Sequence, residues 1–83
     1  MLKVLFFARV REQLGCPGLE LPWQPEFAEL DALQEQLCQR GGDWRSIVSQ
    51  EKMIRAVNQA VVDGDCELKD GDEVAFFPPV TGG

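Results

Sequence analysis

The chain has 83 residues, 45% of them hydrophobic and 27% charged, a balance that suits one folded domain and excludes a disordered tract. A domain of this size buries only about 60% of its unfolded surface, which leaves little volume for a deep private substrate pocket. Its 14 acids against 8 bases give a net charge of −6, which disfavours nucleic acid or an anionic membrane as partner and favours proteins with basic surfaces.

Met1 to Val10 alternates as a strand, with Leu2, Val4, Phe6 and Ala8 on one face and Lys3, Leu5, Phe7 and Arg9 on the other. Arg11 to Leu14 continues as a helical turn stopped by Gly15, and Gly18 to Leu21 forms a second strand, giving an initial hairpin-like pair. Pro22 and Pro25 then break the chain. From about Glu29 to Arg40 the spacing of Leu30, Leu33 and Leu37 predicts an amphipathic helix whose leucines are core. Glu29 and Asp31 suit its start, Arg40 its end, and Gly41-Gly42 stops it, but no Ser or Thr cap precedes it. Asp43 to Gln50 reads as a short irregular helix around Trp44, Ile47 and Val48. Ala56 to Val62 reads as strand, interrupted near Asn58-Gln59, and turns at Asp63-Gly64-Asp65 and Lys69-Asp70-Gly71-Asp72 lead to a last strand, Glu73 to Phe77. This order is α+β: one main helix across a mixed sheet of four to five strands. The first and last strands are expected to pair in parallel at its centre, since they are the most apolar.

Cys16, Cys38 and Cys66 are widely spaced and odd in number, with no C-x-x-C pair and no histidine to complete a zinc site. They read as reduced packing thiols. Without histidine the chain also lacks the usual general base and the Ser-His and Cys-His nucleophile pairs, so a self-contained hydrolase is not expected. Asp63, Asp65, Asp70 and Asp72 do not fit the spacing of an EF-hand loop and read as solvated turn residues, so no metal site is expected. No run approaches the roughly 18 apolar residues of a membrane span, and no secretory apolar region opens the chain; a cytoplasmic location is expected.

The most telling segment is the last, Phe76-Phe77-Pro78-Pro79-Val80-Thr81-Gly82-Gly83. Pro78 and Pro79 cannot donate ladder hydrogen bonds and must lead the chain off its strand, dividing a domain at 1–77 from a tail at 78–83. The four residues past Pro79 span about 13 Å when extended. Glycine there removes side-chain bulk, which suits a tail threaded into a narrow slot on another protein, with Gly83 expected to carry the free carboxylate. A frayed end is the alternative.

Lys3 to Glu12 (KVLFFARVRE), Ala56-Val57-Asn58-Gln59 and Asp70 to Gly83 (DGDEVAFFPPVTGG) together resemble the small, sulfur-carrying subunit of molybdopterin synthase. The likeness spans the chain in length and element order, and the closing motif is its most specific part. It implies the ubiquitin-like β-grasp fold and a heterotetramer with the large subunit. It also implies that a ubiquitin-activating-like adenylyltransferase activates Gly83, which a sulfur donor then converts to a thiocarboxylate. The large subunit would use two such sulfurs to build the dithiolene of molybdopterin from precursor Z. A thiamine-type sulfur carrier also ends in Gly-Gly, and a ubiquitin-like protein modifier uses the same activation; both are alternatives.

The chain's own residues agree. A carboxylate resists attack, an acyl-adenylate does not, and displacement of AMP by sulfur leaves a thiocarboxylate that is the better nucleophile. No phosphate-binding loop is present, so no cofactor is expected on this chain, and ATP belongs to the activating partner. Lys or Arg of the large subunit is expected to face the anionic tail. In the threading role Gly83 is the working residue, Gly82 gives clearance, Thr81 and Val80 form the stem, and Pro78-Pro79 hold it away from the sheet. Docking should use the sheet face opposite the helix. There Phe7 and Phe77 are neighbours, and the resemblance adds Val61 as a third apolar member. Packing of the two phenylalanines on each other is the alternative for that pair.

Overall fold

The structure is a computed structural model and describes residues 1–50 and 52–79. Five strands are present, β1 (Leu2–Phe6), β2 (Gly18–Leu21), β3 (Ile54–Val57), β4 (Ala60–Val62) and β5 (Glu73–Phe77). Three α-helices, α1 (Ala8–Leu14), α2 (Leu30–Cys38) and α3 (Trp44–Val48), lie between them, with a 3₁₀ turn at Pro25–Phe27. The sheet order is β2-β1-β5-β3-β4, with β1 and β5 parallel and the other neighbours antiparallel. This is the mixed sheet of a β-grasp, and its two most apolar strands do sit side by side at the centre.

Register makes the core. Val4 lies opposite Val74 and Phe6 opposite Phe76, and all four, with Leu2, are at most 1% exposed. The Phe6 and Phe76 rings stack at 6.0 Å, and Trp44 of α3 meets Phe6 edge-on at 5.6 Å. Leu30, Leu33 and Leu37 of α2 close over this layer, joined by Val10 of α1 and by Ile47 and Val48 of α3. All three helices therefore cover one face of the sheet.

The first strand is shorter than its alternation suggests. It ends at Phe6 instead of Val10, because Ala8 takes a left-handed conformation (φ 54°) and turns the chain into α1. Ala8 and Arg9 are consequently exposed helix residues, not members of two strand faces, whereas Val10 turns back into the core. Gly15 ends α1 with φ 64°, its N–H bonded to the Arg11 and Glu12 carbonyls.

The start of α2 explains its missing Ser or Thr. The cap comes from a distant loop: Asp65 accepts a hydrogen bond from the Asp31 N–H at 2.8 Å, and Leu30 N–H donates to the Cys66 carbonyl at 2.9 Å. Asp65 is thus a remote cap and not merely a solvated turn residue. The Asp31 N–H, together with the Cys66 N–H that also donates to it, holds the Asp65 carboxyl below the usual carboxylate range, while Glu29, hydrogen-bonded to Asp65 and facing its charge, is pushed above it. The signs oppose each other. The Asp65 contribution is present above its unfolded-state value and fades as pH falls through the lower folded value; Glu29 holds its proton more tightly when folded and offsets part of that loss. Asp65→Asn is expected to be less stable than wild type at neutral pH, with the difference shrinking on acidification. Urea melts across the acid range would show it, and a gap independent of pH would contradict it.

Asn58 and Gln59 both have positive φ, 51° and 72°, which is the mirror-image turn that closes a two-residue hairpin between β3 and β4. Asn58 also ties this turn to β5. Its N–H donates to the Glu73 carbonyl at 2.7 Å, its amide oxygen accepts the Glu73 N–H at 3.0 Å, and its Nδ2 donates to Asp72 at 3.0 Å. Asn58→Ala removes two of these bonds and the residue type that tolerates this backbone, so a loss of about 1–2 kcal/mol in urea unfolding is expected.

Candidate functional site

The sheet face away from the helices carries a second set of aligned side chains. Leu5, Ala75, Ala56 and Val61 are successive ladder partners across β1, β5, β3 and β4, so they form one row on that face. Phe77 and its partner Ile54 form the next row, and Phe7 follows β1 on the same side. Ala56, although buried, does not belong to the helix-side core cluster, as this placement requires.

Phe7 and Phe77 meet as expected, ring centroids 6.4 Å apart and nearly perpendicular. The contact does not bury them: Phe7 remains 45% exposed and Phe77 half-buried. The rings pack on each other, as the second alternative has it, and still present apolar surface. Val61 is 68% exposed on the same face, but β3 separates its strand from β5, about 10 Å away at two strand spacings. It extends the patch beyond the strand that carries Phe77. Among the described residues, Met1, Phe7 and Val61 are the exposed large hydrophobics, and two of them lie on this face.

Ile54 and Ala56 belong to the patch and were missed by the sequence reading, which began the third strand at Ala56 and assigned no faces there. Starting it at Ile54 would have placed Ile54 and Ala56 on one face by simple alternation. Phe77 leads directly into Pro78 and Pro79, half-buried and exposed respectively, so the chain leaves the sheet from the edge of the apolar patch. Val80, Thr81, Gly82 and Gly83, to which threading and chemistry were assigned, lie outside the described residues.

Elsewhere little chemistry is gathered. Among the described residues no group of three His, Cys, Asp or Glu side chains is arranged to hold a metal ion. Asp70 pairs with the Met1 amine, and Asp72 accepts the Lys69 N–H at 2.8 Å as well as the Asn58 amide. The three cysteines are free thiols. Burial pushes the Cys38 and Cys66 thiols up, away from the thiolate form a nucleophile needs. No helix of the described residues is long and apolar enough to cross a membrane. What the described surface offers is an apolar patch where the chain leaves the sheet at Pro78.

The model of the ThiS family matches residues 4–83. The chain is 46% identical over 83 residues to the molybdopterin synthase sulfur carrier subunit of Escherichia coli K12 and 43% identical over 83 residues to that of Haemophilus influenzae, covering 100% of both chains in each case. Among solved structures it is similar to a putative molybdopterin converting factor subunit 1 from Pyrococcus furiosus, with a TM-score of 0.77 and 32% identity over 95% of this chain and 97% of that one. It is also similar to a chain of the complex of subunits 1 and 2 of molybdopterin-converting factor from Helicobacter pylori, with a TM-score of 0.69 and 25% identity over 99% and 97%.

Proposed function

The chain belongs to the ThiS family, and from that premise we propose that it is the sulfur carrier subunit of molybdopterin synthase, working in the cytoplasm as the small partner of a heterotetramer. The observation that carries this reading is the likeness, end to end, to two molybdopterin synthase sulfur carrier subunits. The similar chain found in a complex of two converting-factor subunits supports a large-subunit partner. The exposed patch around Phe7 and Phe77, at the point where Pro78 and Pro79 lead away, supplies a surface suited to such a partner.

In the proposed cycle an adenylyltransferase transfers AMP from ATP to the Gly83 carboxylate and releases pyrophosphate. A sulfur nucleophile supplied by a donor protein displaces AMP, so that sulfur replaces one carboxylate oxygen. The thiocarboxylate sulfur then attacks a carbon of precursor Z within the large subunit, and the carbon–oxygen bond at that carbon breaks, its oxygen leaving with the electron pair and taking up a proton. Water cleaves the resulting thioester, returning Gly83 as a carboxylate and leaving sulfur on the precursor; two such deliveries make the dithiolene. The residues of this chain position and do not catalyse. Gly82 gives clearance in the slot, Val80 and Thr81 form the stem, and Pro78 and Pro79 hold that stem off the sheet. Phe7, Phe77 and Val61 seat the domain. Reconstitution with the large subunit and precursor Z tests the proposal: the thiocarboxylated chain should yield dithiolene product and the carboxylate form none.

A further inference from the structure

One place on the outer face lacks a side chain. At the level of the row Leu5, Ala75, Ala56 and Val61, β2 contributes Gly18, the ladder partner of Leu5. A Cβ on Gly18 would stand 2.6 Å from the Val4 carbonyl oxygen, closer than real contacts allow, and a tight 3.2 Å from Leu5 Cδ2, so the backbone approach itself keeps this place open. The result is a groove of about 280 Å³ over Gly18, bounded by Leu5, Pro17, Lys3 and Glu20. That is just below the roughly 300–1,000 Å³ of small-molecule sites and of a size for one or two side chains. Lys3 and Glu20 face each other directly across the ladder. Their charges offset at the rim, leaving Leu5, Pro17 and the bare Gly18 backbone to meet an occupant.

Resting on the docking role proposed above for this face, we infer that the groove is a socket for one apolar side chain, a Leu, Ile, Met or Phe, projecting from the large subunit of molybdopterin synthase. Leu5, itself half-buried, is both a wall of the groove and a member of the outer-face row, so the socket is continuous with the proposed docking patch. A second copy of this chain is a poor occupant, since each carries a net charge of −6. The flat row of small and aliphatic side chains resists sliding weakly, whereas a knob held in a socket fixes lateral register. A tail that delivers an atom to a reacting centre needs that register, because a misplacement near 1 Å costs about a hundredfold in rate.

The test fills the socket from its rim. Glu20 is exposed on β2, where an aromatic residue suits a strand, so Glu20→Phe is expected to keep the wild-type unfolding midpoint. Its affinity for the purified large subunit should fall at least tenfold, while Glu20→Gln, which changes only charge, stays within about threefold. Wild-type affinity in Glu20→Phe, or an equal loss in Glu20→Gln, would overturn the socket. Phe7→Asp separates the two levels: if it also binds normally, docking through this face is wrong, whereas loss in Phe7→Asp alone removes only the socket. A diazirine-bearing lysine analogue at Lys3 provides a second measurement that does not depend on Glu20→Phe folding. It should crosslink to an apolar side chain of the large subunit, and crosslinking only to a second copy of this chain would refute the assignment.

Discussion

Removing Gly83 is expected to abolish molybdopterin formation while leaving the domain folded. In the proposed cycle the acceptor for adenylation is the Gly83 carboxylate, and deletion moves it back one residue, about 3.3 Å along an extended chain. That displacement exceeds the tolerance of a reaction requiring near-contact between donor sulfur and acceptor carbon. One residue added after Gly83 should be equally damaging, because it buries the working carbonyl in an amide. Stability should change by less than about 0.5 kcal/mol, since glycine has no side chain to bury and the core among the described residues runs from Leu2 to Phe76. Dithiolene product from either variant in the reconstituted assay would remove the carrier function. The same residue separates the carrier from a protein modifier. Chain isolated from cells should show replacement of a terminal oxygen by sulfur in its mass, whereas isopeptide conjugates on many proteins would favour the modifier.

The centre of the fold was legible because both central strands are apolar on alternate positions, and the pairing of β1 with β5 follows from burying those positions together. Leu30, Leu33 and Leu37 revealed α2 for the same reason. The true end of β1 was hidden: alternation continues through Ala8 and Arg9, and only a left-handed Ala8, which its side chain does not advertise, ends the strand. The cap of α2 was hidden because Asp65 lies 34 residues from the N–H it accepts, and local motifs do not report such contacts. At the candidate site, Phe7 and Phe77 could be paired from parallel register alone. Ile54, Ala56 and the Gly18 groove required the ladder of all five strands, which no single segment encodes.

Phe7→Asp should separate function from stability. Phe7 is the residue that precedes the first turn of α1, and it makes no side-chain cap bond there. Asp, Asn, Ser and Thr are the residues that stabilise such a position, by about 1 kcal/mol relative to non-capping ones, so a large exposed phenylalanine is not there for the helix. Aspartate at this position can accept an N–H of the first turn of α1, which offsets loss of the Phe7–Phe77 contact, itself about 0.5–1.5 kcal/mol. The unfolding free energy of Phe7→Asp should therefore lie within about 1 kcal/mol of wild type. Binding has no such compensation. With docking as proposed, the variant removes an aromatic anchor and places a charge where the partner would exclude water, an effect of about 2–4 kcal/mol, or roughly 30- to 1,000-fold in Kd for the large subunit. Phe7→Leu, which keeps apolar surface, should recover most of that affinity. Titration calorimetry beside urea melts decides the matter: a parallel loss of stability and affinity would mean that Phe7 serves the fold, and a loss of affinity alone that it serves the partner.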